Sequence, residues 1–292
     1  MVAIRTITQM TAAARLRGYL ADPSKTLMCP GVYDGLSARM ALQEGFDCLY
    51  MTGSGTSMSR LGMADLGLTT LNDMRDNAAM ISSLDRRAVM VGRTVAQYMQ
   101  AGVAALHLED QVQNKRCGHL RNKELVSEEI YLSRIRAAVN MREKLLGDIV
   151  IIARTDALQS LGFEACIERL QKAVSVGADV VFLEGVETKE QAAELCLRLH
   201  PTPVLYNAVS GGVSPNISVA EARELGFKIV IFPSVSTRQV VEGLSQVLRD
   251  LKENGALPKT STTPKNVFEL CGLQEVIDFD TAAGGSMYTN GV

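Results

Sequence analysis

Ala105-Leu-His-Leu-Glu-Asp-Gln-Val-Gln-Asn-Lys-Arg-Cys-Gly-His119 is an apolar, strand-like run that empties directly into paired carboxylates, two cations, a thiol and an imidazole. Chemistry placed just past the C-terminal end of a buried strand is where α/β barrels keep their catalytic groups. The segment therefore predicts both a fold and a kind of function.

Outward from it, beginning at Thr26, short β-branched or apolar runs alternate with amphipathic helical stretches, the pattern of βα units and of a parallel sheet covered by helices. The candidate strands are Thr26–Cys29, Cys48–Thr52, Ala105–Glu109, Ile149–Arg154, Val180–Glu184, Val204–Asn207 and Ile229–Phe232, and helix-like segments such as Glu164–Val176, Lys189–Leu199 and Thr237–Lys252 follow them. Seven strands is one short of a closed barrel of eight. The gap can be placed: Leu71–Leu84 reads as one helix and Val89–Ala101 as the next, with only Asp85-Arg-Arg-Ala88 between them. The expectation is an α/β chain, a (β/α)8 TIM-type barrel over residues 1–256 that lacks barrel strand three. Residues 257–292 change pattern, with Pro258, threonines between 260 and 263, Pro264, a short helix Val267–Leu270 and Thr281-Ala-Ala-Gly-Gly-Ser-Met287. This C-terminal extension is expected to leave the barrel and pack on, or swap with, a neighbouring subunit.

Composition narrows the function classes. The chain has 292 residues, 47% hydrophobic and 21% charged, enough for a full core in one large domain. Thirty basic residues stand against 32 acidic ones, for a formal charge of -2 with no long single-sign block. That balance argues against nucleic acid or an acidic membrane surface as partner and favours small molecules. No apolar run reaches the roughly 18 to 20 residues of a membrane span. The six cysteines (Cys29, Cys48, Cys117, Cys166, Cys196, Cys271) lie far apart without C-x-x-C spacing, which predicts reduced thiols in a cytoplasmic compartment. Residues 1–21 contain Arg5, Arg15 and Arg17 and no acid, a faint likeness to a mitochondrial presequence. The stronger reading of the same stretch is a first helix from Thr11 to Leu20, closed by Asp22-Pro23.

The strand ends carry the chemistry. Strand one runs into Pro30-Gly-Val-Tyr-Asp-Gly35, strand two into Thr52-Gly-Ser-Gly-Thr-Ser57, and a later strand into Arg154-Thr-Asp156. Converging at one rim, they would offer amides, a guanidinium and carboxylates to one ligand. The Thr52–Ser57 loop lacks the spacing of a P-loop or dinucleotide fingerprint, so a carboxylate suits it better than a phosphate; alone it would read as a tight turn. Glu109 and Asp110 are adjacent and point to opposite sides of a strand. One can ligate or polarise while the other pins Lys115 or Arg116; a purely structural ion pair is the alternative. Lys115 and Arg116 beside Cys117 would favour a thiolate suited to proton transfer near an anionic substrate.

Pro30-Gly-Val-Tyr-Asp-Gly-Leu-Ser-Ala-Arg39, the His107-Leu-Glu-Asp-Gln111 run with Lys115-Arg-Cys-Gly-His119, Ile152-Ala-Arg-Thr-Asp156, Phe182-Leu-Glu184, Leu205-Tyr-Asn207 and Phe232-Pro233 together resemble the isocitrate lyase and phosphoenolpyruvate mutase superfamily over nearly the whole chain. Within it, Cys271-Gly-Leu273 and Ala283-Gly-Gly285 add to a likeness to the fungal 2,3-dimethylmalate lyase and oxaloacetate acetylhydrolase group. The resemblance implies carbon–carbon bond cleavage in a small 2-oxo or 2-hydroxy dicarboxylate, such as oxaloacetate or a dimethylmalate, with Mg2+ or Mn2+ as cofactor. It implies Cys117, His119, Arg154 and Glu184 as catalytic groups, with Cys117 protonating the departing carbanion. Tyr33, Thr52, Gly53, Ser54, Gly118 and Asn207 would bind substrate, Asp65 and Glu109 would sit around the metal through water, and Lys115 to roughly Val126 would close over the site. A homotetramer with exchanged C-terminal helices is likewise implied. One departure stands out. The superfamily carries an Ala-Asp-Ala-Asp-Thr-Gly type motif on barrel strand three whose carboxylates organise the metal, and nothing between Asp85 and Val89 corresponds to it. About a dozen residues, an element and its turn, are absent there, which implies weakened or abolished metal binding. A catalytically silent relative that binds a dicarboxylate or joins active paralogues is the alternative reading.

Overall fold

A computed structural model describes residues 10–288, apart from 86–88, 93–94, 114 and 119–121, together with the backbone but not the side chains of 89–92. Eight parallel strands close a barrel in sequence order: β1 Leu27–Val32, β2 Cys48–Met51, β3 Val89–Gly92, β4 Ala105–Glu109, β5 Val150–Thr155, β6 Val180–Leu183, β7 Val204–Asn207 and β8 Ile229–Phe232. The helices are α1 Ala12–Ala21, α2 Gly35–Gln43, α3 Gly53–Leu61, α4 Leu71–Leu84, α5 Val95–Gln100, α6 Glu128–Lys144, α7 Leu158–Ser175, α8 Lys189–Leu199, α9 Val219–Glu224, α10 Val235–Asn254, α11 Pro264–Leu270 and α12 Leu273–Ala282. Thr11, Asp34, Thr70, Ser127, Thr188 and Ser218 each accept from a first-turn amide and so set where their helices begin. The α1 helix expected at the N-terminus is there, and residues 1–9, including Arg5, lie outside the described residues.

The barrel expectation holds, with one correction. A third strand exists, and Val89-Met-Val-Gly92, expected to open a helix, forms it. Cys48 pairs with Val89, Leu49 with Met90 and Tyr50 with Val91 on one side; Val91 pairs with Ala105 and Gly92 with Leu106 on the other. Four apolar residues carry no periodicity that separates strand from helix, and the open edges of β2 and β4 supply the pairing that decides between them. The cost falls on α5, which keeps six residues.

Alternation along the strands sorts the core. Leu27, Cys29, Cys48, Ala105, Ile152, Phe182, Leu205 and Ile231 pack together as the barrel interior, and the intervening residues meet the helices in two further clusters that include Leu106, Ile151, Ala153, Val181 and Val230. Parallel strands buried on both faces read as unbroken apolar runs for this reason. Inward-facing positions of successive strands therefore point at one axis, and their polar last members gather at its C-terminal mouth. In the C-terminal extension, Arg39 of α2 holds Glu275 of α12 in a two-pronged pair at 3.1 and 3.0 Å. No helix among the described residues is long and apolar enough to cross a membrane.

Candidate active site

A cavity of about 620 Å³ opens at the C-terminal mouth, lined in part by Thr52, Ser54, Asp65, Glu109, Cys117 and Arg154. His107 and Glu109 occupy alternate, inward positions on β4, level with Ile152 and Arg154 of β5. Arg154 is the centre of the arrangement. Its Nε and Nη2 donate to the two carboxylate oxygens of Asp156 at 2.9 Å each, Nη2 lies 2.8 Å from Glu184 and Nε 3.6 Å from Glu109. The Phe182 ring supports the guanidinium at 4.9 Å. Burial works against the charge, but Asp156, Glu184 and Glu109 outweigh it and hold the pKa of Arg154 well above its ordinary value. Asn207 donates to both oxygens of Glu184, at 3.1 and 3.2 Å.

Thr52-Gly-Ser-Gly is the first turn of α3 and not a free loop: Thr52 is the N-cap, accepting from the Gly55 amide at 3.4 Å and sharing a hydrogen bond with Ser54 at 3.0 Å. A helix N-terminus directs amides and partial positive charge into the mouth, a setting for a carboxylate. Cys117 is half-buried in the lining. The segment around it is tied down at both ends, since Val112 donates to the Glu124 carbonyl at 3.0 Å and Val126 to the Asp110 carbonyl at 2.8 Å. Lys123 reaches across to donate to the Gly118 carbonyl at 2.5 Å and lies 3.9 Å from Asp156.

The structure thus brings Thr52, Gly53, Ser54, Asp65, Glu109, Cys117, Gly118, Arg154, Glu184 and Asn207 to one cavity. Tyr33 is not part of that lining; its carbonyl accepts from Asn77 at 2.8 Å and its Cβ lies under Gly55. His119 lies outside the described residues. The basic pair is disposed otherwise than expected: Lys115 faces Asp65 at 3.1 Å, Arg116 is exposed, and the acid beside Glu109 pins neither of them. Asp110 instead sits outside the barrel, fully buried, accepting from Thr155 at 2.5 Å, the Asp156 amide at 2.9 Å and Arg169 at 3.2 Å. Burial raises the pKa of its carboxyl, with the Asp156 and Thr155 bonds opposing. His107 and Tyr50, which sequence reasoning did not single out, also line the mouth, their rings 5.6 Å apart. Enclosure pushes the Tyr50 phenol up to about 12, so it enters the site as a neutral hydroxyl. His107 shares a face with Glu109 two residues on, and that alternation was the available signal.

A divalent cation does not fit this donor set. Among the described residues no three Asp, Glu, His or Cys side chains are grouped to hold one. The residues outside the description, 1–9, 86–88, 93–94, 114, 119–121 and 289–292, contain no acid and no cysteine, and His119 is their one imidazole. Each carboxylate at the mouth already faces a cation: Asp65 faces Lys115, and Glu109, Asp156 and Glu184 face Arg154. Asp65 and Glu109, expected around the metal, belong to different ion pairs.

Residues 16–252 match the phosphoenolpyruvate phosphomutase family. The 2,3-dimethylmalate lyase of Eubacterium barkeri is 36% identical over 282 residues, covering 91% of this chain and 96% of that protein. A 2-methylisocitrate lyase of Aeropyrum pernix is 38% identical over 248 residues, with coverages of 81% and 79%. A crystal structure of a 2,3-dimethylmalate lyase superposes with a TM-score of 0.94 at 46% identity, covering 97% of this chain and 98% of that one. Oxaloacetate acetylhydrolase in complex with 3,3-difluorooxalacetate gives 0.92 at 46% identity, with coverages of 95% and 99%. These relatives are lyases or hydrolases, and by family match, identity and coverage together the chain belongs to the phosphoenolpyruvate mutase/isocitrate lyase superfamily.

Proposed function

We propose that this chain cleaves a carbon–carbon bond in a small 2-oxo or 2-hydroxy dicarboxylate, with oxaloacetate to oxalate plus acetate, or a dimethylmalate-type cleavage, as candidate reactions. The observation that carries the reading is the meeting of Cys117, Arg154, Glu184 and Asn207 in one cavity beside the α3 N-terminus, in a chain whose relatives include enzymes named for such substrates. The Thr52, Gly53 and Ser54 end of α3 would hold one substrate carboxylate. Arg154 would orient the other through Nη1, the nitrogen its three carboxylates leave out of their contacts. Cleavage begins when the hydroxyl of the 2-hydroxy acid, or of the hydrated 2-oxo acid, loses its proton to a carboxylate of the mouth. The bond between the second and third carbons then breaks, its electron pair goes to the third carbon, and the Cys117 thiol donates a proton there. The segment from Lys115 to Val126 would exclude water from that step.

The pairing of every mouth carboxylate favours a second reading, a family member that binds a dicarboxylate without turning it over. Turnover assays with oxaloacetate and 2,3-dimethylmalate, with Mg2+ or Mn2+ added, separate the two. Product formation that disappears in Cys117→Ser is the expected result; absence of product alongside retained ligand binding removes the enzyme reading, and a near-normal rate in Cys117→Ser removes Cys117 from the chemistry.

The six free cysteines suit a reducing, cytoplasmic compartment. We further propose self-association, as a homotetramer with exchanged C-terminal helices. In support, α10, α11 and α12 bury none of their residues and expose Leu244, Leu248, Phe268 and Phe279.

A further inference from the structure

The mouth balances its own charge. Asp65, Glu109, Asp156 and Glu184 stand against Lys115, Lys123, Arg134 and Arg154, with Arg134 donating to the Glu109 and Gln111 carbonyls at 2.9 and 2.7 Å. Arg154 sits where three of those carboxylates converge, so a divalent cation seated among them would lie against its guanidinium. It cannot vacate by losing its proton, because a guanidinium stays charged in proteins, and its neighbours strengthen that charge. Nor is it free to swing away: Phe182 supports it from one side, and the Gly118 backbone passes so close that a β-carbon built there would lie 2.4 Å from Nη2.

We infer that Arg154 replaces the divalent cation in this chain, so that the mouth takes a small dicarboxylate with no metal bound. The inference rests on the dicarboxylate reading of the site but concerns its charge. A hard cation of the Mg2+ or Mn2+ type needs several oxygen ligands, mostly from carboxylates and water. Here the oxygens that face one another are committed to a planar fork, and seating a doubly charged ion among them would set it against a fixed, buried positive charge. The third strand contributes no relief, since residues 85–94 contain one acid, Asp85, which precedes the strand.

The test uses the full chain after dialysis against a chelator. Mn2+ is titrated in alone and its free ion followed by electron paramagnetic resonance, while oxalate is titrated calorimetrically with the chelator present. The wild type should leave Mn2+ free at millimolar concentration and should bind oxalate equally, within about twofold, with chelator or with Mn2+. Arg154→Met strips the guanidinium from Glu109, Asp156 and Glu184 and should take up one equivalent of Mn2+ with at least tenfold higher affinity than the wild type; Arg154→Lys, which keeps the charge, should not. Saturable uptake of one Mn2+ by the wild type, or oxalate binding that strengthens tenfold or more with Mn2+, overturns the inference and leaves the dicarboxylate reading intact. Oxalate failing to bind under either condition overturns the dicarboxylate reading instead, and the Mn2+ titration of the wild type, which needs neither ligand nor variant, still decides the inference.

Discussion

Gly118 shows how a single residue can shape this site without contributing a side chain. A β-carbon there would meet Arg154 Nη2 at 2.4 Å and Glu184 Cγ and Cδ at 2.7 and 2.8 Å, so the chain passes over the ion pair only because it carries no side chain at that point. Overpacking of this kind costs about 1–3 kcal/mol when neighbours must move, and here the neighbours are the ligand-binding groups themselves. Gly118→Ala should weaken oxalate binding at least tenfold, about 1.4 kcal/mol, by calorimetry on a protein with an unchanged circular dichroism spectrum; unaltered affinity would show that the Arg154–Glu184 pair does not set the pocket. The Lys115-to-His119 motif made Cys117 and Gly118 legible, because motif residues are contiguous. Asp156 was legible on the same rim and Lys123 within the closing segment, but their pairing at this centre was not. The pairing of Asp156 with Arg154 depends on the side chains turning toward each other at the end of β5, and that of Lys123 on the Val112–Glu124 and Val126–Asp110 bonds that fold the segment back.

At the scale of elements, two strand ends are locked to each other by a residue that faces away from the substrate. Asp110 follows β4, yet its carboxylate accepts from Thr155 and the Asp156 amide at the end of β5 and from Arg169 on α7. It is 0% exposed and Arg169 is 6% exposed. Removing one partner from such a buried pair leaves an uncompensated charge, typically at a cost of 3–5 kcal/mol. Asp110→Ala should therefore lower the unfolding free energy by about 3–5 kcal/mol in urea, and Asp110→Asn, which still accepts from Thr155, by less; a loss under about 1 kcal/mol for Asp110→Ala would mean the pair is solvated or dispensable. The sequence pattern showed that Glu109 and Asp110 oppose each other across the strand, but the partner named for the outward acid was wrong, because Arg169 lies 59 positions away and no local pattern links them. The third strand was illegible for a related reason. Val89-Met-Val-Gly92 has the composition of a strand and the position of a helix start, and only the vacant pairing edges on both sides resolve it.

For the whole molecule, the barrel was legible because alternation and spacing repeat in unit after unit; for the C-terminal helices the sequence points to a neighbouring subunit, and an amphipathic helix alone does not name the surface that covers it. Val240, Leu244, Val247 and Leu251 recur along α10 at intervals of four, three and four residues and are 47%, 52%, 37% and 37% exposed, with Val241 and Leu248 beside them at 62% and 54%. That spacing makes one continuous stripe along a 20-residue helix. Apolar patches of such length on a protein surface mark interaction surfaces, and a second copy presenting the same stripe is a chemically matched occupant. The Arg39–Glu275 pair is compatible with exchange, because a partner's α12 could present the same carboxylate to the same α2. Light scattering coupled to gel filtration should then give a mass near four times 31.6 kDa, and a Leu244→Asp, Leu248→Asp double variant should fall to smaller species while retaining its far-ultraviolet spectrum, since neither leucine supports the barrel interior. A monomeric mass for the wild type at micromolar concentration would sink the exchange, and would leave the stripe to be explained by a partner of different sequence.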